Sequence, residues 1–272
     1  MLAIIGGTGV ELRSHRALSD QRDEVVETQW GQALVTRVLL GKQAVLFLHR
    51  HAGPQTGKRH VPPHKINYRA NIAALKKLGV TAIFASTAVG SLRPDWKPGT
   101  LVLLDQFIDC TSLRPKTFFE DRAVHVDVTE PYCLNAQKYL QEAATRLGLS
   151  LSTGGTYLCT DGPRFETPAE IQMFRQWGAD LVGMTGVPEV VLAREAEIAY
   201  AGVSIVTNLA AGISPEPLTQ AEVLDAMKEA LPRVVDLFLE AAREYSPDDS
   251  WPSRNATREF ATDGFEPLDS IV

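Results

Sequence analysis

Apolar residues along this chain fall into two kinds of run. Short unbroken runs rich in β-branched residues read as strands buried on both faces, at residues 2–5, 82–85, 101–104, 181–184 and 203–207. Residues 34–40 and 44–48 flank Gly41-Lys42, the spacing of a hairpin. Helical stretches separate them. Over 66–78, Ile66, Ala70, Ala73, Ala74 and Leu78 recur at helical spacing and stop before Gly79, and 135–147 ends before Gly148. Thr167-Pro168-Ala169-Glu170 is a capping box with proline in the first turn, which predicts a helix running to Gly178. Thr219-Gln220-Ala221-Glu222 repeats the signal. The stripe Val223, Leu224, Met227, Leu231, Val234, Val235, Phe238 then makes a long closing helix, bent at Pro232.

Strands separated by helices of this length need crossover connections, which return the chain to the same sheet in parallel. The pattern therefore predicts a single-domain α/β fold, a largely parallel twisted sheet covered by helices on both faces. Ligands in such folds sit at the carboxyl ends of strands. That places Gly6 to Gly9, Arg50-His51, Ser86 to Ser91, Met184-Thr185 and Asn208 on one rim.

Composition narrows the setting. A chain of 272 residues, 44% of them hydrophobic, can bury one large core, assigned to residues 1–245. Residues 246–272 carry six acids against two arginines, with three prolines and no period, and read as a loose acidic tail. The tail holds most of the net charge of -6, which leaves a nearly neutral body without a basic patch for nucleic acid or an anionic membrane. No apolar run approaches the roughly 20 residues of a membrane span, and the first residues lack a basic leader, so the expected location is the cytoplasm. Cys110, Cys133 and Cys159 are far apart and set in apolar stretches, as buried thiols would be.

Each segment with candidate chemistry has a plainer reading beside it. Gly6-Gly7-Thr8-Gly9 after a buried strand uncovers backbone N–H groups and one hydroxyl, which suits a small anion or forms a tight turn. Gly53-Pro54-Gln55-Thr56-Gly57-Lys58-Arg59 lacks the nucleotide-binding spacing and has Arg59 where a magnesium-holding hydroxyl belongs, so it reads as a mobile loop. Four of the six histidines fall between His49 and His64, a cluster open to a metal site or a solvated strand end. Arg50 favours an anion, because a guanidinium repels a cation and its fork fits phosphate oxygens. Thr87-Ala88-Val89-Gly90-Ser91 is a wall of small and hydroxyl residues. Gly162-Pro163-Arg164-Phe165-Glu166 offers an aromatic face and a carboxylate, or only a loop, and Asn208 is an amide at a strand end or a turn former.

In this order, and with Pro62-Pro63-His64-Lys65-Ile66-Asn67-Tyr68-Arg69-Ala70-Asn71 and Gly183-Met184-Thr185-Gly186-Val187-Pro188-Glu189, the segments resemble the trimeric purine nucleoside phosphorylase and methylthioadenosine phosphorylase family from Ile4 to about Glu240. The resemblance implies a phosphorylase/hydrolase-like fold. It also implies phosphorolysis of a purine nucleoside by inorganic phosphate, giving free purine and (5-methylthio)ribose 1-phosphate without metal or organic cofactor. By family position, Thr8, Arg50, His51, Thr87, Ala88 and Thr185 hold phosphate, and Arg50, His51 and Asn208 are catalytic. Asn208 donates to N7 of the leaving base, Phe165 stacks on the base and Met184 lies under the ribose. Alignment from the second capping box puts Gln220, with Val223 near it, over the 5′ end. His125, before Asp127 and Glu130-Pro131-Tyr132, matches a residue lent by the adjacent subunit, which implies a homotrimer.

The methylthioadenosine branch typically carries aspartates at the positions of Asn208 and Ala210 and a serine at that of Glu166. Glu166 with Asn208 is instead the pair seen in 6-oxopurine phosphorylases. The chemistry agrees: hypoxanthine and guanine carry an N1–H that a carboxylate accepts, whereas adenine N1 is a lone pair. The expected substrate is 5′-methylthioinosine or an inosine or guanosine nucleoside, with 5′-methylthioadenosine as the alternative. A silent nucleoside-binding protein and a metal hydrolase are the readings from other classes.

Overall fold

Alternate residues of β1 (Leu2–Gly6) face opposite sides of the sheet, and every one is buried. Leu2 and Ile4 pack with Val45, Phe47 and Phe84 under Leu140 of α2 (Leu134–Leu147) and Met227 and Phe238 of α5 (Gln220–Glu244). Ala3 and Ile5 join Leu46, Leu48 and Ile83 under Ile72 and Leu75 of α1 (Tyr68–Lys77) and Leu192 of α4 (Gly186–Glu195). A strand covered on both sides has no solvent face, so its sequence runs unbroken apolar. The structure, a computed structural model, describes residues 1–7, 15–52, 60–214, 219–260 and 268.

Among the described residues the strands run β2 (Leu18–Thr28), β3 (Gly31–Leu40), β4 (Gln43–His49), β1 and β5 (Ala82–Ser91). Beyond β5 the sheet closes on itself. β5 pairs with both β9 (Ala199–Leu209) and β8 (Leu181–Gly183), and β7 (Ser152–Thr160) and β6 (Leu101–Cys110) complete the ring back to β9. The expected largely parallel sheet is therefore mixed. β4, β1, β5 and β9 are parallel neighbours, as are β6, β7 and β8, but the β2–β3–β4 edge and the seams β5–β8 and β6–β9 are antiparallel. Closure leaves the ring without a free edge, which removes a template for unwanted pairing.

The hairpin turns at Gly41, whose φ of +63° is the left-handed conformation glycine adopts without strain. α3 (Pro168–Gln176) starts with both capping-box bonds formed between Thr167 and Glu170. α1 is shorter than the apolar spacing suggests, because Asn67 caps it by accepting from the Ala70 amide. α5 runs continuously through Pro232.

Three elements escape the hydrophobic pattern. β2 is a mostly exposed edge strand with Val26 as its buried residue, β7 carries Gly154 and Gly155 in its first half, and α4 is buried all round and so lacks a polar stripe. The stretch read as a loose tail from Ser246 is packed over its described part to Phe260. Trp251 is buried beside Tyr139 and Tyr245, and the Thr257 amide and hydroxyl both donate to Glu197. The aromatic residue outweighs the acids in deciding where the segment lies. Cys133 and Cys159 are buried, whereas Cys110, at the outer end of β6, is half-buried.

Candidate active site

The parallel strands β1 and β4 end side by side at Gly6 and His49, and the next residues, Gly7, Arg50 and His51, line a cavity of about 170 Å3. Ala88, Val89 and Gly90 of β5, Val182 and Gly183 of β8, and Thr207 and Asn208 of β9 supply its walls. Met184, Thr185, Phe165, Glu166, Pro63, Ala210 and Val223 complete it.

Arg50 is wholly buried. Its Nε and Nη2 donate to the two oxygens of Glu189, each at 2.7 Å, and Nη1 donates to the Ser86 carbonyl at 2.7 Å. Glu189, equally buried, also accepts from the Tyr200 hydroxyl at 2.7 Å. Burial opposes the guanidinium's charge, but Glu189 outweighs it and raises the pKa further. The fork that the sequence aims at an anion is thus occupied by Glu189. Of the five N–H donors of an arginine, one on each Nη remains.

His51 Nδ1 lies 2.8 Å from the Val61 carbonyl, which can only accept, so Nδ1 carries a proton. Burial pushes the ring's pKa down to about 4; Arg50 and the stacked His60 push the same way and the Val61 bond opposes. At neutral pH the ring is uncharged and Nε2 presents a lone pair. Together with the Arg50–Glu189 pair it adds no net charge, so an anion here meets hydrogen-bond donors and one acceptor.

The Thr185 and Gly186 amides donate to the Tyr157 hydroxyl at 3.1 and 3.2 Å, which fixes the turn into α4 and leaves the Thr185 side chain without a capping bond. Thr87 does not line the cavity: its hydroxyl is 2.8 Å from that of Ser204 on β9, and Ala88 takes its place in the wall.

Asn208 is held on both sides. Its Oδ1 accepts from the Thr207 hydroxyl at 2.8 Å and its Nδ2 donates to the Leu209 carbonyl at 3.0 Å, so the amide cannot flip and one N–H is left. Glu166 accepts from the Thr160 hydroxyl at 2.8 Å, while Arg164, two residues away, pairs with Glu170 instead. Burial pushes the Glu166 carboxyl upward and the Thr160 bond opposes it. Phe165 is exposed at the cavity's edge and Met184 lies against Gly162.

Thr8 and the 53–59 loop lie outside the described residues, as does the side chain of Gln220. His125 is exposed and away from this cavity. Among the described residues no three His, Cys, Asp or Glu side chains converge to hold a metal ion, and no helix is long and apolar enough to cross a membrane.

The sequence pattern assigned no role to Glu189, although a lone acid in the otherwise apolar residues 186–193 signals a buried ion pair. Thr160, Thr207 and Arg114 gave no signal. Arg114, from the loop after β6, donates to the carbonyls of Val187, Thr160, Asp161 and Met184, tying together the segments that carry Glu166 and Met184.

Residues 1–243 match the Phosphorylase superfamily. A 6-oxopurine nucleoside phosphorylase of Pyrococcus furiosus is 49% identical over 249 residues, covering 88% of this chain and 91% of the relative. A probable S-methyl-5′-thioinosine phosphorylase of Methanopyrus kandleri is 45% identical over 97% of this chain and 98% of its own. Among solved structures, a methylthioadenosine phosphorylase from an antarctic soil metagenomic library superposes with a TM-score of 0.85 at 34% identity, covering 95% of this chain and 91% of that one.

Proposed function

Because the chain belongs to the phosphorylase superfamily, we propose that it cleaves purine nucleosides with inorganic phosphate, giving free purine and ribose 1-phosphate or its 5-methylthio form, with 6-oxopurines preferred. One observation carries the base preference: Glu166 faces the cavity with Thr160 bound to one oxygen and Arg164 turned away to Glu170. A carboxylate so placed accepts N1–H of hypoxanthine or guanine and opposes the N1 lone pair of adenine. Two relatives named for 6-oxopurine and methylthioinosine phosphorolysis support the same preference.

Phosphate enters as the hydrogen phosphate dianion. Its P–OH donates to Nε2 of the neutral His51, and its other oxygens take the remaining Arg50 N–H groups and the Thr185 hydroxyl. By family position Thr8 and Ala88, which lines the cavity where Thr87 does not, complete the cradle. As the C1′–N9 bond breaks, its electron pair passes to the purine and the sugar becomes oxocarbenium-like. The free N–H of Asn208 meets the charge at N7, a phosphate oxygen bonds to C1′, and the departing base takes its proton from water, whose hydroxide is neutralised by the P–OH proton. Phosphate is a substrate, and the reaction uses no metal or organic cofactor.

Val223, with Gln220 by alignment, covers the 5′ substituent, which is methylthio or hydroxyl. The chain assembles as a homotrimer in which His125 reaches a neighbouring cavity. A second reading, 5′-methylthioadenosine phosphorylase, is favoured by the solved structural neighbour. Phosphate-dependent cleavage of inosine, adenosine, methylthioinosine and methylthioadenosine separates the two: the 6-oxo member of each pair should react faster, and a preference for the 6-amino members would replace the first reading by the second.

A further inference from the structure

We infer that Thr160 is a positioning residue for base selection: its hydroxyl holds Glu166 so that the second carboxylate oxygen meets the purine N1 edge. This rests on the reading of Glu166 as the base-edge acceptor. Thr160 is the last residue of β7, registered against Cys110 of β6. Its carbonyl accepts from Nη2 of the buried Arg114 at 3.2 Å, so the backbone is anchored independently of the side chain. The hydroxyl then donates to Glu166 Oε1 at 2.8 Å across the turn at Gly162.

A free carboxylate can rotate about its last torsion and present either oxygen, or swing toward a cation. Thr160 removes that freedom. With Oε1 engaged by Thr160 and the residue's own amide also bonded to the carboxylate, the lone pairs that remain on Oε2 accept from the base. The charged groups acting on Glu166, Arg164 and Glu170, are bound to each other at 2.7 and 2.8 Å, so neither holds the carboxylate in Thr160's place. A hydroxyl that donates to the carboxylate also favours its ionised form, the form that accepts N1–H.

The test compares kcat/KM for inosine and adenosine, each with phosphate, in wild type, Thr160→Val, Thr160→Ser and Glu166→Gln. Valine keeps the shape and removes the donor; serine keeps the donor. The inosine-to-adenosine ratio should fall about tenfold in Thr160→Val, the share a hydrogen bond to a charged group carries, and stay within about twofold in Thr160→Ser. A ratio that holds in Thr160→Val but collapses in Glu166→Gln overturns the role of Thr160 and leaves the base-edge reading intact. Equal losses on both nucleosides in Thr160→Val would mark a merely structural residue and also overturn it. If neither variant moves the ratio, the base-edge reading fails and the inference with it. Should Thr160→Val not fold, Thr160→Ala read by the same ratio replaces it.

Discussion

Asn208 shows how a single side chain is committed to one hydrogen bond. Thr207 and the Leu209 carbonyl take its oxygen and one of its N–H groups, so the remaining N–H is aimed without a rotational choice. Asn208→Ala should lower kcat by about 10²–10³-fold, the effect of losing one donor to developing charge, with little change in KM for phosphate; steady-state kinetics showing near-normal turnover would remove Asn208 from the mechanism. Glu166 makes a second prediction, in pH. Burial places its folded pKa above the 4.5 of a free glutamate, so the carboxylate is lost as pH falls through a value higher than usual. Above that value 6-oxopurine preference is present; below it the protonated acid donates to adenine N1. The inosine-to-adenosine ratio of kcat/KM should therefore decline on acidification before ordinary glutamates titrate, and Glu166→Ser should abolish the decline while relaxing selectivity. Asn208 and Glu166 were singled out by the family resemblance, because a polar residue at a strand end or before a capped helix reads equally as a turn former or a solvated loop. Thr160 and Thr207 were not, since a threonine near the end of a strand looks the same whether or not its hydroxyl orients another group.

At the scale of elements, the anion side of the cavity depends on β4 meeting α4. Arg50 follows β4, Glu189 lies in α4, and the pair is wholly buried. Glu189→Gln leaves a buried guanidinium without its counter-charge and should cost about 3–5 kcal/mol of stability while raising KM for phosphate; denaturant unfolding that shifts by less than about 1 kcal/mol would show the pair to be expendable. Gly183 ends β8 because no larger residue fits: a Cβ there would stand 2.4 Å from the Tyr157 hydroxyl, the group that accepts from the Thr185 and Gly186 amides. Gly183→Ala should therefore displace Tyr157 and weaken phosphate binding more than nucleoside binding, as read by separate titrations of the two ligands. Elements with one-sided chemistry were legible: the hairpin at Gly41, the capped α3 and the stripe of α5 all appear as patterns. α4 and β2 fail for opposite reasons, one having no exposed face and the other almost no buried one.

At the scale of the whole molecule, the cavity reaches the protein surface at Phe165. Phe165 is 44% exposed there. His125 is also exposed and away from its own chain's cavity. A cyclic homotrimer assigns it a place, and its mass in solution should be three times 29.8 kDa by light scattering. Mass alone leaves the source of His125 open, whereas mixing does not. Asn208→Ala removes a residue from the cavity of its own chain, and in the proposed trimer His125→Ala would remove one from the cavity next door. Neither variant alone forms an intact site, but in mixed trimers a His125→Ala subunit keeps Asn208 and borrows His125 from an Asn208→Ala neighbour. Random mixing in equal amounts should restore about a quarter of the wild-type sites. Co-expressed variants that reach no more than the sum of the separate activities would place His125 outside the neighbouring site.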